Sequence, residues 1–305
     1  MGESIADIEK MVKSLTPRER EKLIIDDDLS EVLGFDVSGD EPDLDELVDA
    51  LDEMGLEVDQ EKFKQLASSF ESAEGLSRYL MDNQILDIDP YSHATEDLFD
   101  VLTNLWEYWI PERPSMEQLE DYIRLGYKFL QEDEKYKCCI TWLAVFPRVW
   151  EIMAKRHQKE TKDPFKAFEL TFFNWIQELE TELWNLGLSD PFFHAQRIAI
   201  TEGYLQYCPD LDSHVTENMQ SALAETYFHI GERDKADTLF ENWLREDPTW
   251  GWGWIHWSDC YSFGRYRSLD RAKAEEILKR GLAQENVREK KYLLERLKSI
   301  YEEIK

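Results

Sequence analysis

Apolar side chains recur along this chain at the three- and four-residue intervals of amphipathic helices. Leu98, Leu102, Leu105, Trp106 and Trp109 share one helical face, and Phe168, Phe172, Trp175, Ile176 and Leu179 share another. Leu44, Leu47, Val48 and Leu51 repeat the pattern within a strongly acidic stretch. No segment alternates with the period of two that a half-buried strand needs, so the pattern predicts an all-α fold. Punctuation agrees. Thr16-Pro17-Arg18-Glu19 and Ser115-Met116-Glu117-Gln118 have the form of capping boxes, the second opening a helix to about Glu132. Asp163-Pro164, Asp190-Pro191 and Asp247-Pro248 have the form of Asp caps or helix stops followed by a Pro-initiated segment.

A longer period lies over this pattern. Tyr227 and Tyr261 are 34 residues apart, and their surroundings match. Leu223, Ala224, Tyr227, Ala236, Phe240 and Pro248 make one copy; Trp254, Trp257, Ser258, Tyr261, Ala274 and Leu278 make the next. The spacing is that of a helix–turn–helix repeat whose small residues, Ala224 and Ser258, let paired helices approach closely. Ala236 to Ala274 is 38 residues, which places an insertion in the inter-helix turn around Gly264 to Asp270. Further helices are expected at about 164–187 and 191–207, and a closing helix from Val287 to Ile304. Asn83, Asp87, Asp89 and Pro90 interrupt the pattern. The expected division is therefore an acidic helical region over 1–90 and a helical array over 91–305. The clearest repeats occupy 217–250 and 251–286, and the capping helix 287–304.

From about residue 98 onward the chain resembles a bacterial tetratricopeptide-like helical repeat family whose members often end in a SEC-C zinc motif. The resemblance rests on Trp142 to Trp150 (WLAVFPRVW), Asn174-Trp175 to Leu188, Ala222 to Gly231 (ALAETYFHIG) and Asp247 to Tyr261 (DPTWGWGWIHWSDCY). It covers about two-thirds of the chain; residues 1–90 match nothing. The zinc motif, a C-x-C followed by a Gly- and Lys-rich loop and a final Cys pair, has no counterpart, since no Cys precedes Cys138-Cys139. What the resemblance implies is a right-handed superhelical array of TPR-like repeats, and no activity.

Charge narrows the partners. The formal net charge is −30, and residues 1–61 carry 21 acidic and 5 basic side chains. From Leu23 to Glu61 there are sixteen acidic residues and no Lys or Arg. Phosphate backbones and anionic lipid would repel such a surface, so neither direct nucleic-acid binding nor membrane binding is expected. Solubility alone, or a basic partner, accounts for the excess. Met1 to Lys22 is mixed in charge and lacks an apolar core segment, which predicts no secretory signal and a cytoplasmic location. Four Cys in a chain of 305 residues make no disulfide framework. The six His stand at no metal-ligand spacing, and no phosphate loop or nucleophile elbow occurs, so neither cofactor nor metal nor catalytic residue is expected.

What remains is a binding surface. By analogy with related repeats, Asn218, Ser221, Glu225, Phe228 and His229 would line a groove in the first repeat. Trp252, Ile255, His256, Asp259 and Phe263 would do so in the second. Trp254 and Trp257 take core positions, whereas Trp250 and Trp252 are either binding anchors or part of a tight turn permitted by Gly251 and Gly253. An aromatic, weakly acidic groove suits a hydrophobic or basic peptide. Arg265, Arg267, Arg271 and Lys273 form a basic cluster that could engage the acidic N-terminal region, or be a solvated turn. Two functions from different classes follow: a non-enzymatic protein- or peptide-binding adaptor, or an acidic decoy that occupies a basic or nucleic-acid-binding protein through residues 23–61. Oligomeric state is not written in these features.

Overall fold

A computed structural model describes residues 42–89, 91–156, 165–262 and 270–302. The capping box at Thr16, the Asp163-Pro164 break and the insertion from Gly264 lie outside them, as do Phe263, Arg265 and Arg267. The described residues form thirteen α-helices and no strand. In chain order these are α1 (Leu44–Glu53), α2 (Gln60–Ala67), α3 (Ala73–Asp82), α4 (His93–Trp109), α5 (Met116–Gln131), α6 (Lys135–Arg156) and α7 (Phe165–Gly187). They continue with α8 (Pro191–Tyr207), α9 (Ser213–His229), α10 (Arg233–Glu246), α11 (Gly251–Ser262), α12 (Arg271–Leu282) and α13 (Lys290–Glu302). No helix among the described residues is long and apolar enough to cross a membrane. The chain divides into two compact units, one ending at Trp175 and the other beginning at Ile176.

In the first unit, Leu51, Phe63, Leu76 and Leu80 from α1–α3 share one core with Leu98, Leu102, Leu105 and Trp106 of α4. A continuous core therefore crosses residue 90, where the division was expected, with α1–α3 packed on α4. Side-chain caps start the helices. Asp43, Asp59, Ser72 and Ser115 each accept a backbone N–H of the helix they precede, and Ser115 with Gln118 completes the expected capping box. Glu117 also reaches from α5 to the free N–H groups of Ala73 and Glu74 at the start of α3, 3.1 Å from each. Glu71 pairs with Arg148 and Arg113 at the same junction. On α5, Gly126 leaves room for the indole of Trp142, which would stand 1.9 Å from a Cβ, and Trp142 Nε1 donates to Ile123 O.

The second unit is built by pairing. α8 packs on α9, α9 on α10, α11 on α12 and α12 on α13; in addition α9 packs on α11 and α11 on α13. First helices of successive pairs thus stack on one another. The repeat signature explains why: Leu223, Ala224, Tyr227, Ala236, Phe240, Trp254, Trp257, Ser258, Tyr261, Ala274 and Leu278 are all buried. Equivalent tyrosines make equivalent hydrogen bonds to the preceding helix pair. Tyr227 donates its hydroxyl to Glu202 of α8, and Tyr261 to Asp237 of α10, both at 2.7 Å. Burial and the neighbouring carboxylate push both phenols well above their ordinary pKa. All four cysteines are buried and none forms a disulfide.

Candidate functional site

The stacked first helices of the second unit present a ladder of polar and aromatic contacts. At its first rung Asn218 of α9 donates to Gln177 Oε1 of α7 at 2.9 Å. Next, His256 Nδ1 on α11 lies 2.6 Å from Ser221 Oγ on α9. Between α11 and α13, Trp252 stacks on Tyr292 with ring centroids 5.4 Å apart and planes at 26°. Arg296 Nη2 then donates to Asp259 Oδ2 at 2.9 Å. Trp252 is 39% exposed and Tyr292 48%, so this aromatic pair faces solvent rather than the core. His256 lies beside it, 5.7 Å from the Trp252 ring.

From Gly251 onward the Trp-Gly-Trp-Gly-Trp segment is helix, with Trp250 standing just before its first turn. Its two glycines serve close approach. A Cβ on Gly251 would stand 2.0 Å from the Arg288 carbonyl oxygen, and one on Gly253 would stand 2.3 Å from the Trp250 ring. Trp250, 2% exposed, is a core side chain, since its six-membered ring fills the space Gly253 leaves. Phe228 is also buried, edge-on to Tyr261 at 4.9 Å, and Asp259 is buried by its pairing with Arg296. These three expected groove residues are therefore not presented to a partner. Trp252 is presented, and Glu225, His229 and His256 are half-buried. Tyr292 and Arg296 were missed by the sequence reading. They stand four residues apart on α13 as Trp252 and His256 do on α11, so extending the repeat into the capping helix would have found them.

Behind His229 lies a buried polar cluster that no motif marked. His194 of α8 is 3% exposed, with its ring 4.7 Å from His229 and 5.2 Å from Trp184, and among the described residues neither ring nitrogen has a hydrogen-bond partner. Gly187 admits it, because a Cβ there would lie 2.2 Å from the imidazole. Burial first, then the charges of His229 and Arg197, pull the His194 pKa from 6.5 down to about 4. Below pH 6.5 the unfolded chain takes up a proton that the folded chain refuses until about pH 4. Stability should therefore fall across that window by about 3 kcal/mol from this residue. Urea unfolding from pH 7 to pH 4 should show a shallower acid slope for His194→Phe than for the native chain; parallel profiles would remove His194 as the cause.

Among the described residues no three His, Cys, Asp or Glu side chains lie close enough together to hold a metal ion. The ladder offers stacking faces, a hydrogen-bonding imidazole and amide groups, which is chemistry for recognition. No protein-family model, curated protein or solved structure matches the chain.

Proposed function

We propose that the helices from α7 onward form a tetratricopeptide-like, right-handed superhelical array, and that the chain is an adaptor. It holds a protein or peptide along its stacked first helices, without covalent chemistry, in the cytoplasm. The observation that carries this reading is the solvent-facing Trp252–Tyr292 stack beside His256. Two aromatic rings held in register on rigid helices keep their shape when a partner arrives, and aromatic side chains dominate interface energetics. The repeated packing of α9 on α11 and α11 on α13, with the signature residues buried, supports the superhelical arrangement. The partner that suits this surface is a hydrophobic or basic peptide. Affinity capture with full-length chain tests the proposal: Trp252→Ala and Tyr292→Ala should each weaken partner capture about tenfold or more while far-ultraviolet circular dichroism stays unchanged. Undiminished capture by both variants would remove the ladder as the binding surface.

A second reading draws on α1. Asp45, Glu46, Asp49, Asp52 and Glu53 are exposed, while Leu47, Val48 and Leu51 pack inward. A folded acidic face of this kind could occupy a basic or nucleic-acid-binding protein as a decoy. It predicts capture that disappears at high salt and survives Trp252→Ala.

A further inference from the structure

Second helices in this array pack twice. α10 lies on α9 and on α11, and α12 lies on α11 and on α13. By the same geometry α13, a first helix, has an outer side shaped for one more helix. At roughly 100° per residue, Lys291, Leu294, Glu295, Lys298, Tyr301 and Glu302 share about 120° of arc on that side, turned away from the buried Leu293 and Ile300. The outer face of a capping helix is ordinarily polar. Here Leu294 is 51% and Tyr301 43% exposed. Tyr301 is held in place by its hydroxyl, which donates to Glu275 Oε1 of α12 at 2.7 Å.

The charges beside these apolar side chains select what covers them. Lys291 pairs with Glu295 at 3.8 Å and Lys298 with Glu302 at 3.4 Å, all four side chains being more than half exposed. Pairs so open to water hold little energy and exchange readily for others. Along α13 the signs alternate from Lys291 to Glu295, Lys298 and Glu302, so a second α13 running the opposite way presents the opposite sign at each position. With Leu294 of one copy against Tyr301 of the other, Lys291 comes within about 3 Å of level with Glu302 of the second copy, and Glu295 with its Lys298. A parallel copy would instead set Lys291 against Lys291 and Glu302 against Glu302. Net charge favours the same end of the molecule. Arg271 to Glu302 holds nine Lys and Arg against six Glu in a chain whose total is −30, so two copies meet here with less repulsion than through the acidic remainder. We infer that two copies of this chain pair through antiparallel α13 helices as a weak, reversible, two-fold dimer. One helix of 13 residues from each copy makes an interface at the low end of specific contacts. The contact lies about 120° round α13 from Tyr292, so the dimer is independent of the adaptor reading and leaves both Trp252–Tyr292 stacks open.

Sedimentation velocity of the full-length chain at physiological ionic strength tests the pairing, over a concentration series reaching about 200 μM. The sedimentation coefficient should rise reversibly from monomer toward dimer along the series. Leu294→Asp should weaken self-association about tenfold or more, and Lys291→Glu about threefold. Both side chains are exposed, so thermal unfolding of the two variants should match that of the native chain. Combining Lys291→Glu with Glu302→Lys restores opposite signs between antiparallel copies and should recover native self-association. A native chain that stays monomeric throughout the series would overturn the pairing. So would a dimer indifferent to Leu294→Asp, which must use another face, or a charge-exchanged double variant that associates no better than Lys291→Glu alone. Trp252→Ala, which tests the adaptor reading, should leave the dimer intact, so the two readings fail separately.

Discussion

Replacing Arg197 by methionine should destabilise the second unit by about 3–5 kcal/mol, the usual cost of stranding one partner of a buried ion pair. Arg197 is 5% exposed and pairs with Glu180 across from α8 to α7. It also donates to Ala222 O and Thr226 Oγ1 on α9, and its guanidinium lies 4.6 Å from the Trp184 ring centroid. One side chain thus joins three helices through hydrogen bonds, an ion pair and an aromatic face. Methionine fills part of the volume but leaves the Glu180 carboxylate buried without a cation and two acceptors on α9 without this donor. Urea unfolding of the full chain, followed by tryptophan fluorescence, measures the loss. The double variant Arg197→Met with Glu180→Leu should recover most of it, because an apolar pair of similar volume avoids the desolvation of both charges. A single-variant loss below about 1 kcal/mol would place the pair with ordinary solvent-screened bridges.

Gly251→Ala should produce the second large effect. The added methyl would meet the backbone carbonyl oxygen of Arg288 at 2.0 Å, and a carbonyl cannot rotate away as a side-chain tip can. The loop that carries it is held by the Arg288 N–H, which donates to Thr249 O at 2.8 Å. Alanine's better helix propensity returns about 1 kcal/mol, while overpacking costs about 1–3 kcal/mol or more, so a net loss near 2 kcal/mol is expected. The consequence reaches further than stability. Moving Arg288 displaces α13, and with it Tyr292, so the Trp252–Tyr292 stack should loosen and near-ultraviolet circular dichroism should fall. Gly231→Ala is the control. It stands at φ +99° with nothing within 4 Å of an added Cβ, so only backbone strain of about 1 kcal/mol applies and the stack should be untouched. A Gly251 variant as stable as the native chain would show that the loop before α13 yields freely.

Much of the architecture was legible in the chain. The helices expected at 164–187 and 191–207 correspond to α7 and α8, and Asp190 caps α8 as its position before Pro191 implied. The 34-residue spacing singled out core residues in both repeats, because a helix pair that must bury one face fixes which positions turn inward. The surface was less legible. Phe228 and Asp259 sit at positions that a repeat offers to solvent, yet Tyr261 covers the first and Arg296 the second. Trp250 and Trp252 are alike in sequence context, two residues apart in the same Trp-Gly alternation. One is enclosed over Gly253 and the other stands open against Tyr292.

That contrast marks the physical limit of reading from residues alone. Helical periodicity and repeat spacing depend on neighbours three, four and 34 positions away, so helix content, pairing and the inward face of each repeat follow from local order. Exposure depends on what distant segments bring. Arg288 arrives at Gly251 from 37 residues downstream, and Glu71 meets Arg148 across 77. His194 and Arg197 carry no motif, and their burial beside His229 and Glu180 exists because three helices converge there. Side-chain environment is a property of that convergence, and it alone separates the tryptophan that holds the fold from the one that faces solvent.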